Sequence, residues 1–382
     1  MDFKLTTEQQ ALADNVARFC AKEYDFRARR QLLESADGFS RAHWATFAEL
    51  GWLGAGLPET AGGFGGGAIE NAVVMEAFGR GLVLEPFLAT AVLSLQTLAA
   101  LPAGEVRDRL IESAVAGQTL LALAHGEPTA RGDVDHVETQ ATQSGNGWVL
   151  NGHKSLVLGA LSADSLLVSA RAKDGVGLFL VPRQDASLRL KPYRTLDNHR
   201  AADVWFSNTR VETVLAPPGS AMPALATGLD HGLTAVCAEA IGAMDAAILM
   251  TRDYLKTRKQ FGTTLNNFQA LQHRMADMYV EYELSRSILY QGLAALDGPA
   301  RNRGHAMSAM KAVVSSAALF VGRQSVQLHG GIGMTEEYAI GHYYRRLFVI
   351  ANQFGGEDLH LKRMATHPTP FWGGIGEQVA AS

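Results

Sequence analysis

Two short stretches of this chain carry residue types suited to holding a large phosphorylated ligand. Arg258, Gln260 and Phe261 fall within four residues, in Arg-Lys-Gln-Phe-Gly. A guanidinium pairs with phosphate oxygens through a rigid fork, a carboxamide donates and accepts hydrogen bonds, and an aromatic ring stacks on a flat heterocycle. Lys256, Arg258 and Lys259 also sit where a helix would end, so their charge suits the negative end of the dipole, and Gly262 would supply a left-handed exit. Taken alone, these charges fit a solvated helix cap. The second stretch, Gln327-Leu328-His329-Gly330-Gly331-Ile332-Gly333-Met334, closes a helical run with two glycines, which lets another molecule approach bare backbone.

The elements that must position these residues are helices. Tyr254 to Met278 reads as two amphipathic helices joined at Gly262, the second carrying Phe268, Leu271, Met275 and Met278 on one apolar stripe. Long periodic stretches over 221–255, 267–296, 301–329 and 335–352 predict an up-and-down four-helix bundle. Upstream, residues 1–117 read as helices, with Thr6 or Thr7 as the first cap and the glycine cluster from Gly62 to Gly67 as a loop between them. Between the two helical regions, short alternating runs separated by Gly, Asn, Asp and Pro predict a small β unit, with a hairpin at Ser144-Gly145-Asn146-Gly147. The expected organisation is α+β: an N-terminal helical domain over 1–117, a β domain over 118–217, a helical bundle over 218–366 and a loosely held tail over 367–382.

Composition narrows the class. A chain of 382 residues, 47% hydrophobic and 19% charged, has ordinary globular make-up for two or three domains. A net charge of −4 exerts no general pull on nucleic acid or anionic membrane. Cys20 and Cys237 fall in apolar helical segments and read as buried free thiols, with no metal site expected. The opening Met-Asp-Phe-Lys-Leu-Thr-Thr-Glu lacks a signal-peptide pattern and no run is expected to approach membrane-spanning length, so a cytoplasmic protein is expected.

The pair of stretches R-x-Q-F-G and Q-L-H-G-G-I-G-M, in this order, resembles the acyl-CoA dehydrogenase family of flavoproteins. Three further stretches add to the resemblance: the loop Leu57 to Gly65, the strand Trp148 to Lys154, and the loop Gly126-Glu127-Pro128 with Gly132-Asp133. The resemblance implies the three-domain acyl-CoA dehydrogenase fold, a tetramer built from like or unlike chains, and FAD at an inter-subunit site. It assigns Arg258, Gln260 and Phe261 to the pyrophosphate and flavin side, with Phe268 packing nearby. Gln327, Leu328, Gly330 and Gly331 go to the adenine side. It also implies an acyl-CoA substrate, an electron-accepting flavoprotein partner, and α,β-dehydrogenation in which a carboxylate removes the α-proton while the β-hydrogen leaves as hydride.

Departures from the family pattern sharpen the expectation. Gly126 and Gly132 stand where relatives carry hydroxyl residues, and Leu156-Val157-Leu158 replaces a Trp-Ile-Thr that contacts the flavin ring. The positions that hold the base in the two main subgroups read Phe354 and Gly232. Glu239, seven residues beyond Gly232 among apolar neighbours, and Glu357, three beyond Phe354, are the substitute carboxylates; Glu239 could instead be a structural hydrogen-bonding group and Glu357 a helix cap. The chain therefore reads as an acyl-CoA dehydrogenase, in the manner of the smaller subunit of a heteromeric enzyme acting on bulky steroid-like or dicarboxylic thioesters. A non-catalytic subunit completing another chain's FAD site, and a flavin oxidase or monooxygenase on the same fold, remain as alternatives.

Overall fold

The computed structural model describes residues 4–296 and 300–366; the tail expected over 367–382 lies outside them. Helix α1 (Thr7–Glu23) opens on a capping box in which the Thr6 hydroxyl accepts the Gln9 N–H and the Gln9 side chain accepts the Thr6 N–H. There follow α2 (Phe26–Glu34), α3 (Arg41–Glu49), α4 (Ala68–Gly81), a π-helical segment (Leu88–Ser94) that runs on as α5 (Leu95–Ala99), and α6 (Glu105–Val115). Sequence periodicity does not announce α2, because its buried face holds Arg29 beside Leu33 instead of an apolar stripe.

The middle of the chain forms β1 (Leu121–Ala124), β2 (Gln140–Ser144), β3 (Gly147–Leu158), β4 (Ser165–Ala172), β5 (Gly175–Pro182), β6 (Leu188–Arg194), β7 (Arg200–Val211) and β8 (Val214–Ala216). They make one sheet in the order β6-β7-β3-β2-β4-β5-β8, with β1 parallel to β4. β6 went unread in the sequence because its alternation is mixed with Arg189, Lys191 and Pro192, residues an edge strand tolerates. The expected β2–β3 hairpin turns at Gly145 and Asn146, with Ser144 opposite Gly147.

The last part is helical: α7 (Met222–Thr257), α8 (Gln269–Leu296), α9 (Ala300–His329), α10 (Ile340–Asn352) and a short α11 (Glu357–Ala365). The expectation that no run approaches membrane-spanning length needs correcting. Met222–Thr257 and Arg303–Met334 are long and apolar enough by length and composition, with mean hydropathy 1.7 and 1.2. Burial inside the protein explains that apolarity, since 78% and 61% of the two windows are enclosed by neighbouring helices.

Helices α4 and α7 bring the N-terminal and C-terminal helical regions onto one core, and two glycines set how close they lie. A Cβ at Gly79 would stand 2.0 Å from the Glu239 carbonyl oxygen, and one at Gly242 would stand 1.8 Å from that of Glu76. Neither oxygen can move without breaking its helix. Gly242→Ala should therefore cost about 1–3 kcal/mol through forced separation of the helices, measurable as a lowered denaturant midpoint, whereas Gly104→Ala, with open space around it, should not.

Candidate functional site

Helix α7 stops at Thr257, and Arg258 is already extended, at φ −73° and ψ 126°. The chain then makes a two-residue hairpin in which β9 (Lys259–Gln260) pairs with β10 (Thr263–Thr264). Phe261 and Gly262 form its corner, at φ 54° and 80°, the backbone of a type I′ turn. Gly262 is thus a hairpin corner and not the expected helix exit, and α8 begins only at Gln269. The turn holds a phenylalanine in the left-handed region with 89% of its surface exposed, its ring edge-on to Phe268 at 6.1 Å between centroids.

Helix α9 ends at His329, where Gly330 turns the chain at φ 64° into a 3₁₀ segment, Gly330–Met334. This brings the second stretch against the first. Arg258, Gln260, Gln327, Leu328, Gly330 and Gly331 share one cavity of about 650 Å³, with Arg274 and the stacked rings of Tyr254 and His329, 4.5 Å apart, on its wall. A Cβ at Gly330 or Gly331 would meet nothing within 4 Å, so their backbone is open to a ligand. Among the described residues, neither Arg258 nor Arg274 has a carboxylate within ion-pair distance. Two guanidiniums without a carboxylate partner, one of which (Arg274) donates to Gln324 Oε1 at 3.3 Å, together with two amides and bare backbone suit a pyrophosphate. Phe261 and Phe268 are not part of this wall; Phe261 is exposed and Phe268 half-buried.

A second cavity, of about 610 Å³, opens between the N-terminal helices, the β sheet and α10, and it shares no residue with the first. Leu156 and Leu158 of β3 line it. Leu156 sits on a bulge at φ 50°, 46% exposed, where the β3–β7 register slips between Lys154 and Val157. Beneath it, a buried ion pair fixes the Gly126-Glu127-Pro128 loop to the strand. Lys154 Nζ donates to Glu127 Oε1 at 2.7 Å, to the His125 carbonyl at 3.1 Å and to Ser169 at 3.0 Å. Burial works against charge on Glu127, yet Lys154 and the Thr139 and Glu138 N–H groups hold its carboxyl at about 2. Burial pushes Lys154 down to about 8 against the pull of Glu127.

Burial, reinforced by Lys154, also lowers His125 to about 4. His125 is therefore neutral at pH 7: its Nε2–H donates to the Val134 carbonyl, and Nδ1 accepts from Ser169. Glu127, His136 and Glu138 offer ligand atoms within 4.8 Å of one another, but Glu127 is already committed to Lys154 and Thr139.

Glu239, 3% exposed on α7, also lines the second cavity. Both its oxygens accept from one guanidinium: Arg346 Nε and Nη2 of α10 donate at 2.6 Å each. The third prong, Nη1, donates to Asp197 Oδ2 at 2.6 Å, on the turn between β6 and β7. Burial opposes ionisation of Asp197, but His199 and Arg346 keep it well below the ordinary carboxylate range. Glu239 is thus one corner of a buried ion triad, and neither oxygen is left free of the guanidinium.

Glu357 begins α11 with Asp358, where both charges suit the helix N-terminus, and it does not line either cavity. The two positions at which the family resemblance leads one to expect the base, Gly232 and Phe354, lie side by side. A Cβ built on Gly232 would stand 3.3 Å from the Phe354 ring and 2.4 Å from Leu93, so apolar groups fill that point.

Sequence reading missed Arg346 and Lys311. Arg346 lies on the stripe of α10 that buries Tyr343, Leu347 and Ile350, and a charge on such a stripe demands a partner. Lys311, fully buried, donates to Ser315 at 2.7 Å and to the Ile350 and Ala351 carbonyls at 2.9 and 3.1 Å, capping α10. Burial pushes it down to about 8. Just beyond, Phe354 turns at φ 59°, its carbonyl 3.0 Å from His360 Nε2.

Comparison with known proteins agrees along the chain. The acyl-CoA dehydrogenase N-terminal, middle and C-terminal domains match residues 6–118, 122–209 and 222–367. A probable acyl-CoA dehydrogenase of Bacillus subtilis, YngJ, is 29% identical over 360 residues, 90% of this chain and 93% of the relative. Among solved structures, a variant of the Tcur3481-Tcur3483 steroid ACAD is 31% identical with a TM-score of 0.85, covering 98% of this chain and 99% of that one. The ChsE4-ChsE5 complex of Mycobacterium tuberculosis has the same fold, at 24% identity and a TM-score of 0.87 over the whole of both chains. The chain therefore belongs to the acyl-CoA dehydrogenase family, FAD-dependent oxidoreductases that act on CH–CH groups of acyl-CoA-like substrates.

Proposed function

We propose that this chain works as one subunit of a heteromeric acyl-CoA dehydrogenase and completes the FAD site of a neighbouring chain. One observation carries the reading: the residues suited to pyrophosphate and the strand that the family resemblance sets against the flavin ring line two cavities of this chain with no residue in common. A single flavin then needs a second chain to bridge them. Arg258, Gln260, Gln327 and the backbone of Gly330 and Gly331 hold the phosphates and adenine side, and exposed Phe261, braced by Phe268, packs on the partner. FAD, when bound, accepts the hydride lost from the β-carbon.

The filled base position argues for the base being supplied by the partner. Both Glu239 oxygens accept from Arg346, and a proton acceptor would have to leave that pair. The acyl group is a bulky one, such as a steroid side-chain thioester, supported by the steroid-acting relative at 31% identity and by the 610 Å³ cavity. A dicarboxylic acyl group fits less well. All three arginines lining that cavity are engaged: Arg346 as above, Arg194 with Glu34 at 3.3 Å, and Arg200 with the Ser35 and Ala36 carbonyls.

A visible absorbance spectrum of the chain purified alone and with its partner tests the assembly; flavin bands only in the mixture are expected, and a yellow solitary chain that turns over acyl-CoA would overturn it. In the assembled protein, Arg258→Ala should weaken FAD binding roughly 10- to 150-fold, the range for a lost charged hydrogen bond. Unchanged flavin content in that variant would remove Arg258 from the site.

A further inference from the structure

A third cavity, of about 790 Å³, opens beside α2 and shares no residue with either of the other two. Arg27 and Arg30, both exposed, line it from one face of that helix, three residues apart. Gln31 and, from the turn between β6 and β7, Asn198 add a carboxamide each. Among the described residues, neither arginine has a carboxylate within ion-pair distance, and neither carboxamide makes a hydrogen bond. Arg30 lies over the Phe26 ring, 5.9 Å from its centroid.

The two carboxylates on the wall have cations of their own. Glu34 pairs with Arg194 at 3.3 Å, and both oxygens of Glu336 accept from Arg345, so Arg30 acts on Glu336 only at longer range. Arg29, between the two exposed arginines in sequence, is 1% exposed; its Nε donates to the Leu82 carbonyl at 2.9 Å and its Nη1 to His342 Nδ1 at 3.1 Å. Burial lowers Arg29 to about 10, which leaves it charged at pH 7, and Asp197 draws on it without forming an ion pair. His342, on the cavity wall, is lowered to about 4 by burial and Arg29 and is neutral. Helix α2 thus presents three guanidiniums to which no carboxylate is committed.

We propose that this cavity is an anion-binding site that takes the pyrophosphate of a small-molecule ester between Arg27 and Arg30. Two guanidinium forks one helical turn apart engage more oxygens than a single carboxylate carries, whereas a pyrophosphate has oxygens for both. The free carboxamides of Gln31 and Asn198 donate to the same group, and the half-buried Phe26 ring gives the organic part of the ester an apolar surface. The second cavity adjoins this one: Glu34 and Ser35 line the third, Ala36 and Asp37 the second, and Arg200 on the wall of the second donates to the Ser35 carbonyl. The pyrophosphate therefore belongs either to a free nucleotide or to the phosphorylated end of a thioester whose acyl group lies in the second cavity.

Calorimetric titration of inorganic pyrophosphate into the full chain at low ionic strength tests this. Because the first cavity also suits pyrophosphate, the parent protein carries Arg258→Ala and Arg274→Ala, and it should still bind the probe. Adding Arg27→Gln and Arg30→Gln should weaken that binding roughly 10- to 100-fold. Adding Arg18→Gln and Arg109→Gln instead, the same charge change at exposed residues outside the cavity, should leave it within about twofold. No binding to the parent, an unchanged affinity after Arg27→Gln and Arg30→Gln, or an equal loss with the Arg18 and Arg109 pair overturns the proposal. ADP and naphthylpropanoyl-CoA then separate the sources: a loss for ADP alone assigns a free nucleotide, and a loss for the thioester as well assigns its phosphorylated end. Pyrophosphate binding that depends on Arg27 and Arg30, with neither ester weakened by their substitution, would overturn recognition of an ester.

Discussion

Arg346→Met should destabilise the folded chain by about 3–5 kcal/mol, the cost of removing one partner from a buried ion cluster. The substitution leaves Glu239 and Asp197, 3% and 2% exposed, facing a thioether where a guanidinium stood. Because the three residues come from α7, α10 and the β6–β7 turn, the loss should appear in the unfolding of helical bundle and β sheet together. Denaturant unfolding of wild type and variant gives the number.

The pH dependence of that loss has a definite sign. Asp197 is held well below its unfolded value, so its contribution is present above the unfolded pKa, near 4, and fades as pH falls through the lower folded one. In the variant the cation is gone and burial is left opposing ionisation of Asp197, so wild type and variant should converge in acid and diverge towards neutrality. Glu239→Gln should cost less than Arg346→Met, because the guanidinium keeps Asp197 as a counter-charge. A gap that stays flat between pH 3 and 7 would mean that the triad is not ionised as drawn.

The same cluster marks where the sequence stops being informative. Helical periodicity located α7 to α10 because those helices bury continuous apolar stripes, and it missed α2 because Arg29 occupies the buried face. The isolation of Glu239 among apolar neighbours correctly announces a buried carboxylate. What it cannot announce is the partner, since Arg346 lies 107 residues away and Asp197 comes from another domain. Catalytic base and structural ion look identical until that pairing is known.

Local motifs told more about the phosphate-type cavity. Arg258, Gln260, Gln327 and the two glycines come from two short stretches, each nearly contiguous, so only one long-range approach had to be guessed. Even there the hairpin was missed. Phe261 takes a conformation normally left to Gly, Asn or Asp, and Lys259, Gln260, Thr263 and Thr264 form a ladder too short to leave an alternating pattern. The arginines of the third cavity are invisible as a site in the sequence altogether, because an absent partner is a property of the packed site.

Lys154→Met should cost a similar 3–5 kcal/mol, but its effect should centre on the loop that joins the sheet to the second cavity. Glu127 would keep the Thr139 and Glu138 donors and lose its ion-pair partner, while Ser169 and the His125 carbonyl each lose a donor. Amide exchange should therefore quicken over residues 125–139 before it quickens in α7. Two pH windows separate this ion pair from simple packing. The Glu127 carboxyl lies at about 2 in the folded chain and near 4.3 when unfolded, so its stabilisation is complete above the unfolded value and is lost as pH falls through the folded one. Lys154 lies at about 8 folded and near 10.4 unfolded. Between those values the unfolded chain holds the extra proton, so this lysine makes stability rise with pH. Lys311, also near 8, adds to the same rise in wild type and in Lys154→Met alike, so it cancels in their difference. The variant's deficit should thus shrink below pH 4 and widen from pH 8 to 10; a deficit constant across both ranges would reduce Lys154 to a space-filling role.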